Sequence, residues 1–159
     1  MQFKTKNIVQ SALIAALYVI FTLIANALGL ANGIIQVRIS EALCILPVFT
    51  VSAIPGLFLG CLISNIITGC ALWDILLGSV ATLIGAVGTY LLRKRRILSY
   101  IPPIAANTII VPLVLSYVYN FEGALWYFAI TVCIGEIISC GLLGEGLYRI
   151  VKKNERFLF

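Results

Sequence analysis

The residue most suited to chemistry or ligand binding is Glu136, which stands in the middle of the last apolar run of the chain, residues 124–147. It lies about twelve residues into that run, or roughly 18 Å along a helix axis. A carboxylate at that depth is costly unless it faces a cavity or a partner, so Glu136 is a candidate for ligand or ion binding. A structural glutamate, protonated or paired with another helix, is the alternative. Asn107 and Asn65 stand in other apolar runs, where an asparagine either joins helices or contacts a ligand.

Four further candidates flank the apolar runs. Asp74 and Glu41 each stand at the start of an apolar run, where the helix dipole also stabilises a carboxylate. Arg38 either lines a cavity or forms an ion pair with one of these two acids. Trp73 is a candidate stacking surface, although tryptophan is also common in the aromatic belt of a membrane interface.

The rest of the composition places these residues in a membrane protein. Of 159 residues, 62% are hydrophobic, and only Arg38, Glu41 and Asp74 carry charge between residues 8 and 92. A soluble domain coats its surface with polar groups, and this chain has too few of them. We therefore expect an all-α integral membrane protein.

Several reaction classes lack their usual residues. The chain has no histidine, so the common zinc sites and Ser–His or Cys–His catalysis lose a partner. No glycine precedes a lysine, which excludes a phosphate-binding P-loop and an internal ATPase. The five cysteines form no Cys-x-x-Cys pair, and we interpret them as free buried thiols. We expect no cofactor and no metal.

The apolar runs predict six transmembrane helices in one domain, residues 1–159. They cover residues 8–30, 41–54, 57–72, 75–92, 102–119 and 124–147. The second run contains Pro47, and Pro55-Gly56 is expected to break the chain before the third. Both of these runs are short for a bilayer, and we expect full crossing rather than a re-entrant pair.

The basic residues set the expected orientation. With six crossings, ten of the eleven lysines and arginines lie on one side, and Arg38 lies on the other. The positive-inside rule makes the basic side cytoplasmic, with both termini. The net charge of +5 therefore reflects orientation in a bacterial-type cell membrane rather than nucleic-acid binding.

Two local patterns indicate packing and a lid. Residues 35–40 alternate apolar and polar side chains, as an extended segment does, which indicates an ordered loop that forms a lid or a wall. We expect residues 36–40 to close over the bound ligand at the outer mouth. Glycine, serine and threonine recur at four-residue spacing in the third run, where another helix can approach closely. The first run carries a small-residue patch suited to helix packing: Ser11, Ala12, Ala15 and Ala16.

The residues thus predict an outward-facing pocket for a small polar or cationic molecule, in a binding protein or a transporter. Their order along the chain also resembles the queuosine-precursor transporters. The matching blocks are residues 36–43 (QVRISEAL), residues 53–60 (AIPGLFLG) with Asn65, Asp74 with residues 78–83 (GSVATL), Pro102-Pro103 with Asn107, and Gly135-Glu136. The match departs from the family at residues 68–74, where a more glycine-rich run is expected.

The resemblance implies a substrate-binding S component of an energy-coupling factor importer. Such a component captures a 7-deazaguanine such as preQ1, preQ0 or queuine, and depends on a module of one coupling subunit and two ATPases. It implies that Glu136 accepts the ring N–H donors, Asn107 serves the ring oxygen and Asp74 or Glu41 holds an ammonium arm. The Ser11, Ala12, Ala15 and Ala16 patch would meet the coupling subunit.

Two alternatives remain open from the sequence. A small proton-coupled secondary transporter would use Glu136 as its coupling acid and would need no ATPase. A membrane enzyme would have only carboxylates and thiols as reactive groups. We prefer the transporter component.

Overall fold

The computed structural model describes residues 5–30, 36–120 and 123–154, and all regular structure among them is helical. The α-helices are α1 (Thr5–Ala27), α2 (Ala53–Ile67), α3 (Leu72–Leu91), α4 (Ile101–Tyr117), α5 (Leu125–Glu136) and α6 (Gly144–Lys153). A 3₁₀ helix covers Ile39–Val48, a short 3₁₀ turn covers Leu98–Tyr100, and a π-helical segment, Ile137–Leu143, joins α5 to α6.

The described chain runs back and forth between two ends of a helical bundle. One end gathers the start of α1, the turn at residues 49–52, the α3–α4 loop and α6. Its contacts are Phe49 with Tyr148 (ring centroids 5.2 Å apart), Arg96 with Glu145 (an ion pair), and the Ser11 hydroxyl with the Ser52 carbonyl oxygen (2.7 Å). We call this the basic end, because it carries residues 93–96 and the lysines that end α6. The opposite end is the cavity end.

Four of the helical passes are long and apolar enough to cross a membrane. They are Thr5–Ala27, Leu72–Leu91, Leu98–Tyr117 and the continuous Leu125–Lys153. The passes Ile39–Val48 and Ala53–Ile67 are apolar but contain only 10 and 15 residues. At 3₁₀ and α-helical rise they reach roughly 20 and 23 Å, short of the roughly 30 Å hydrocarbon core. Six full crossings therefore stay a prediction.

The second and third passes differ most from the sequence prediction. A helix over residues 41–54 is wrong: the observed helix is 3₁₀ and covers Ile39–Val48, with Pro47, which has no N–H to donate, inside it. A break at Pro55-Gly56 is also wrong. Pro55 lies in the first turn of α2, where the missing N–H costs nothing because that turn has no intrahelical acceptor for it.

Other helix ends shift by a few residues for local reasons. The first helix ends at Ala27 instead of residue 30, because Gly29 takes up a left-handed conformation (φ 72°) in the turn that follows. The third α-helix begins at Leu72, which puts Trp73 and Asp74 in its first turn. The last helix continues to Lys153, with lysines at the negative end of its dipole.

Helix α1 packs against the predicted small-residue stripe of α2. A Cβ atom at Gly60 would stand 2.7 Å from the Tyr18 Cβ and 3.0 Å from the Ala15 carbonyl oxygen, so only glycine permits this approach. The predicted patch on α1 is consequently divided. Ser11 and Ala15 are buried in the bundle, while Ala12 and Ala16 are exposed.

The outer surface of the described bundle is apolar on every long helix. Exposed examples are Leu13 on α1, Ile84 on α3, Ile109 on α4 and Ile130 on α5. A surface of this kind is stable only in an apolar environment, so the finding supports an all-helical, multi-pass membrane protein.

We expect Gly60→Leu to destabilise the bundle by about 1–3 kcal/mol, because its side chain would push α1 away from α2. Gly146→Leu on α6 is the matched control, since a Cβ there meets nothing within 4 Å. Thermal unfolding of the detergent-solubilised variants measures the difference. Equal unfolding temperatures for the two variants would contradict this account of the α1–α2 contact.

Candidate functional site

A cavity of about 250 Å³ opens at the cavity end, between α1, the chain before the 3₁₀ helix, α2, α3 and the end of α4. Its apolar wall is formed by α4, through Val111, Val114 and Leu115. Its polar groups come from every other side. They are Tyr18, Thr22 and Asn26 of α1, Gln36, Arg38 and Ser40, Asn65 and Thr68 of α2, Asp74 of α3, and Tyr119. A concave site with convergent polar groups and one apolar wall fits a small heterocyclic or polar ligand.

Asp74 is fixed at the cavity by a tyrosine from another helix. The Tyr119 hydroxyl, two residues beyond the end of α4, donates to Asp74 Oδ2 at 2.8 Å and accepts a hydrogen bond from the Ala71 N–H at 3.2 Å. Burial raises the pKa of Tyr119 to about 12, so its hydroxyl stays protonated as the donor. This bridge holds the carboxylate at the first turn of α3.

Asn65 reaches the same region from α2. A Cβ at Gly78 would lie 3.2 Å from the Asn65 Nδ2 and 3.6 Å from the Asp74 Oδ1. The bare backbone of Gly78 therefore leaves room beside it for both the amide and the carboxylate. Together they present a donor, an acceptor and a negative charge in one small space.

Arg38 contributes the positive charge of the cavity. Among the described residues it forms no ion pair at contact distance, so of the two alternatives for Arg38 the pairing with Glu41 or Asp74 is not formed. Both carboxylates nevertheless lie within electrostatic range of its guanidinium, as does Glu136. One arginine thus faces three acids, and the site favours a ligand that brings further positive charge or hydrogen-bond donors.

The backbone around Arg38 is fastened to the last helix. Its N–H donates to the Ser139 hydroxyl at 3.1 Å, and a Cβ at Gly135 would collide with the Gln36 carbonyl oxygen. Arg38 itself is extended (φ −98°, ψ 98°), as the alternation predicts, and Gln36, Arg38 and Ser40 all line the cavity. Ser40, however, belongs to the 3₁₀ helix and is 1% exposed, so it is not part of a free lid. Residue 35 lies outside the described residues.

Behind the cavity wall lies a group that we call the thiol–carboxylate cluster: Glu41, Cys44, Glu136 and Cys140. Tyr18, which lines the cavity, donates its hydroxyl to Glu41 Oε1. The Cys44 thiol lies 3.0 Å from Glu41 Oε2, and the Cys140 thiol lies 3.3 Å from Glu136 Oε2. All four residues are buried.

The predicted site residues are thus distributed over three places. Arg38, Asn65 and Asp74 line the cavity. Glu41 and Glu136 belong to the buried cluster. Asn107 lies beside Glu136, and its Nδ2 makes no hydrogen bond of ordinary geometry with the residues that the structure describes.

Trp73 lies apart from the other predicted site residues, and its role as a stacking surface stays a prediction. Its side chain is 61% exposed and does not line the cavity, because it stands one residue, and so about 100° around the helix, from the inward-facing Asp74. The sequence analysis missed Tyr18, Thr22 and Asn26. These three recur at four-residue spacing on one face of the apolar α1, which is the signal that identifies them.

Comparison with known proteins shows to which family the chain belongs. The sequence model of the QueT transporter family matches residues 8–153. The chain belongs to the QueT transporter family. This confirms the resemblance found in the sequence, and the family is named for transport and not for an enzymatic reaction.

A relative of this QueT-family chain is the "Queuosine precursor transporter QueT" of Lactococcus lactis subsp. cremoris (strain MG1363). The two are 38% identical over 82 residues, which is 51% of this chain and 47% of that protein. The match thus spans about half the length of the relative. No solved structure matches the chain.

We expect Tyr119→Phe to lower the stability of the QueT-family chain by about 1 kcal/mol, because it removes the hydroxyl that donates to Asp74 and accepts from Ala71. Tyr117→Phe is the control, since Tyr117 is 76% exposed. Thermal unfolding in detergent compares the two. An equally small effect of both substitutions would show that the hydroxyl bridge contributes nothing.

Proposed function

We propose that this chain is the substrate-binding S component of an energy-coupling factor importer and that it captures a queuosine precursor. The observation that carries the proposal is the cavity, where a carboxylate, an amide and a guanidinium converge in a member of the QueT transporter family. The ligand class is a 7-deazaguanine such as preQ1, preQ0 or queuine.

The orientation follows from the distribution of basic residues. Residues 93–96 and the lysines of α6 lie at the basic end, opposite the cavity that Arg38 lines. The positive-inside rule makes the basic end cytoplasmic and opens the cavity to the outside. In this arrangement the chain crosses the cell membrane six times, with both termini in the cytoplasm, and the short 3₁₀ helix and α2 cross where the bilayer is locally thin.

The chemistry of a 7-deazaguanine suits the three cavity residues. Its pyrimidinone ring carries adjacent N–H donors and an acceptor oxygen, and preQ1 adds an ammonium arm. Asp74 accepts hydrogen bonds from the ammonium or from the ring N–H donors, and Arg38 donates to the ring oxygen. Asn65 can either donate or accept a hydrogen bond. Val111 and Val114 give the flat ring an apolar wall.

This assignment differs from the one that the resemblance implies. Glu136 and Asn107 do not line the cavity, and one oxygen of Glu136 already accepts from Cys140. Glu41 accepts from both Tyr18 and Cys44. We therefore place these three behind the wall, where they position the wall rather than contact the ligand.

Asp74→Asn and Glu136→Gln distinguish the two assignments. We expect Asp74→Asn to weaken preQ1 binding by about 2 kcal/mol, because it replaces a charged acceptor by a neutral amide, and Glu136→Gln to weaken it less. Calorimetry on the purified chain measures both. A larger loss for Glu136→Gln would restore Glu136 as the direct ligand, and no binding of preQ1, preQ0 or queuine by the wild type would refute the proposed substrate class.

The energy source is proposed to be a separate module of one coupling subunit and two ATPases. The chain has no P-loop of its own, and the exposed small residues of α1, Ala12 and Ala16, let a partner helix approach closely. Ser11 and Ala15 are occupied by packing inside the bundle, so they are left out of this docking face.

We expect Ala12→Trp to abolish ATP-dependent uptake into vesicles that contain the module, while the affinity of the isolated chain for preQ1 stays within about twofold. Ile109→Trp, on the exposed face of α4, is the matched control and should transport normally. Uptake that persists without the ATPase subunits would favour a proton-coupled secondary transporter instead.

A further inference from the structure

The thiol–carboxylate cluster brings four potential metal ligands together from two segments. Glu41 and Cys44 are three residues apart on the 3₁₀ helix, and Glu136 and Cys140 are four residues apart where α5 passes into the π segment. Each spacing puts its two side chains on one face of its helix. The two faces meet: the Cys140 thiol lies 3.4 Å from the Glu41 carbonyl oxygen.

The distances suit a tetrahedral ion. One ligand atom each from Glu41, Cys44 and Cys140 lie within 4.8 Å of one another. The sulfur–oxygen separations are 3.0 Å for Cys44 with Glu41 and 3.3 Å for Cys140 with Glu136. Zinc bonds of about 2.3 Å to sulfur and 2.1 Å to oxygen give tetrahedral edges of about 3.6 Å. Glu136 lies outside this group of three, so a rotation of its side chain toward Glu41 and Cys44 is needed to complete the coordination shell.

Two buried carboxylates lie at this place with little neutralising charge beside them. Glu41 is 1% exposed and Glu136 5%, and both are removed from water. The charged and titratable groups that face them are Arg38, which is shared with Asp74, and the Tyr18 hydroxyl together with the two thiols. A single shared guanidinium does not balance two buried carboxylates. A zinc ion that displaces the two thiol protons leaves the net charge of the cluster unchanged but gives both carboxylates a direct bond to a cation, and the Asn107 Nδ2 beside Glu136 can donate to a metal-bound carboxylate.

We propose that Glu41, Cys44, Glu136 and Cys140 bind one zinc ion in a structural site. Binding forms two Zn–S and two Zn–O bonds and releases the thiol protons to solvent. The ion would fasten the 3₁₀ helix to the π segment, the two elements with the weakest helical hydrogen bonding.

The sequence analysis predicted no metal site, and the reason is that these ligands do not form a recognisable motif along the chain. The absence of histidine removes the commonest zinc ligand, and no two cysteines are spaced as in a zinc finger. The ligands converge only because two separate helices meet. The same absence of histidine makes the experiment clean, since imidazole groups do not compete for the ion.

The experiment uses the full chain in detergent without a histidine tag, loaded with Zn²⁺, desalted and analysed by atomic emission. The wild type should retain about one zinc per chain, and Cys44→Ser and Cys140→Ser should each retain about a tenth of that or less. Cys133→Ser, on α5 and outside the cluster, should retain the wild-type amount.

Two results would overturn the zinc site. One is a wild-type chain that retains no zinc, which would leave the thiols as hydrogen-bond donors to the carboxylates. The other is equal zinc content in all three cysteine variants. If the cluster variants fail to fold, X-ray absorption of the zinc-loaded wild type decides: two sulfur neighbours at about 2.3 Å are expected, and a shell of oxygen alone refutes the site. No transported solute is present, so the outcome is independent of the proposed transport function.

Discussion

A polar group inside an apolar bundle has no water to bind, so its hydrogen-bond partner must be another group of the protein. The described structure obeys this constraint at each buried acid. Asp74 of α3 is met by Tyr119 after α4, Glu41 by Tyr18 of α1, and Glu136 by a thiol one helical turn away. These contacts decide which helices are neighbours at the cavity end. Because the bonds of Asp74 and Glu41 join distant parts of the sequence, the cavity forms only when the whole bundle has assembled.

The sequence predicted the helical passes because apolar run length is a direct requirement of the bilayer. It also predicted the approach of another helix to α2, since glycine at four-residue spacing has few other uses. It did not predict the 3₁₀ and π segments. Both lie where tertiary contacts join the Arg38 N–H to Ser139 and the Cys140 thiol to the Glu41 carbonyl oxygen, and no local periodicity encodes those contacts.

For the site, the residue types predicted which buried side chains are polar, but the sequence did not predict how far each one lies from the cavity. An acid or an amide in an apolar run indicated a polar interior, and Arg38, Asn65 and Asp74 do share one cavity. The same reasoning could not separate a residue that lines the cavity from one that lies just behind its wall. That difference is a matter of a few ångströms and of side-chain direction, as the adjacent Trp73 and Asp74 show. Tyr18 and Thr22 escaped notice because tyrosine and threonine are ordinary in a membrane helix.

The close contact between Gly135 and the Gln36 carbonyl has a consequence for how ligand preference can change. Any side chain at position 135 would push against the strand-like segment two residues before Arg38, and would move the guanidinium without altering a single cavity residue. A comparison of related chains that looks only at the residues around the ligand would therefore overlook this position. The tuning of selectivity in such a bundle can reside in the spacing between backbones, on the side of a helix that never touches the molecule being carried.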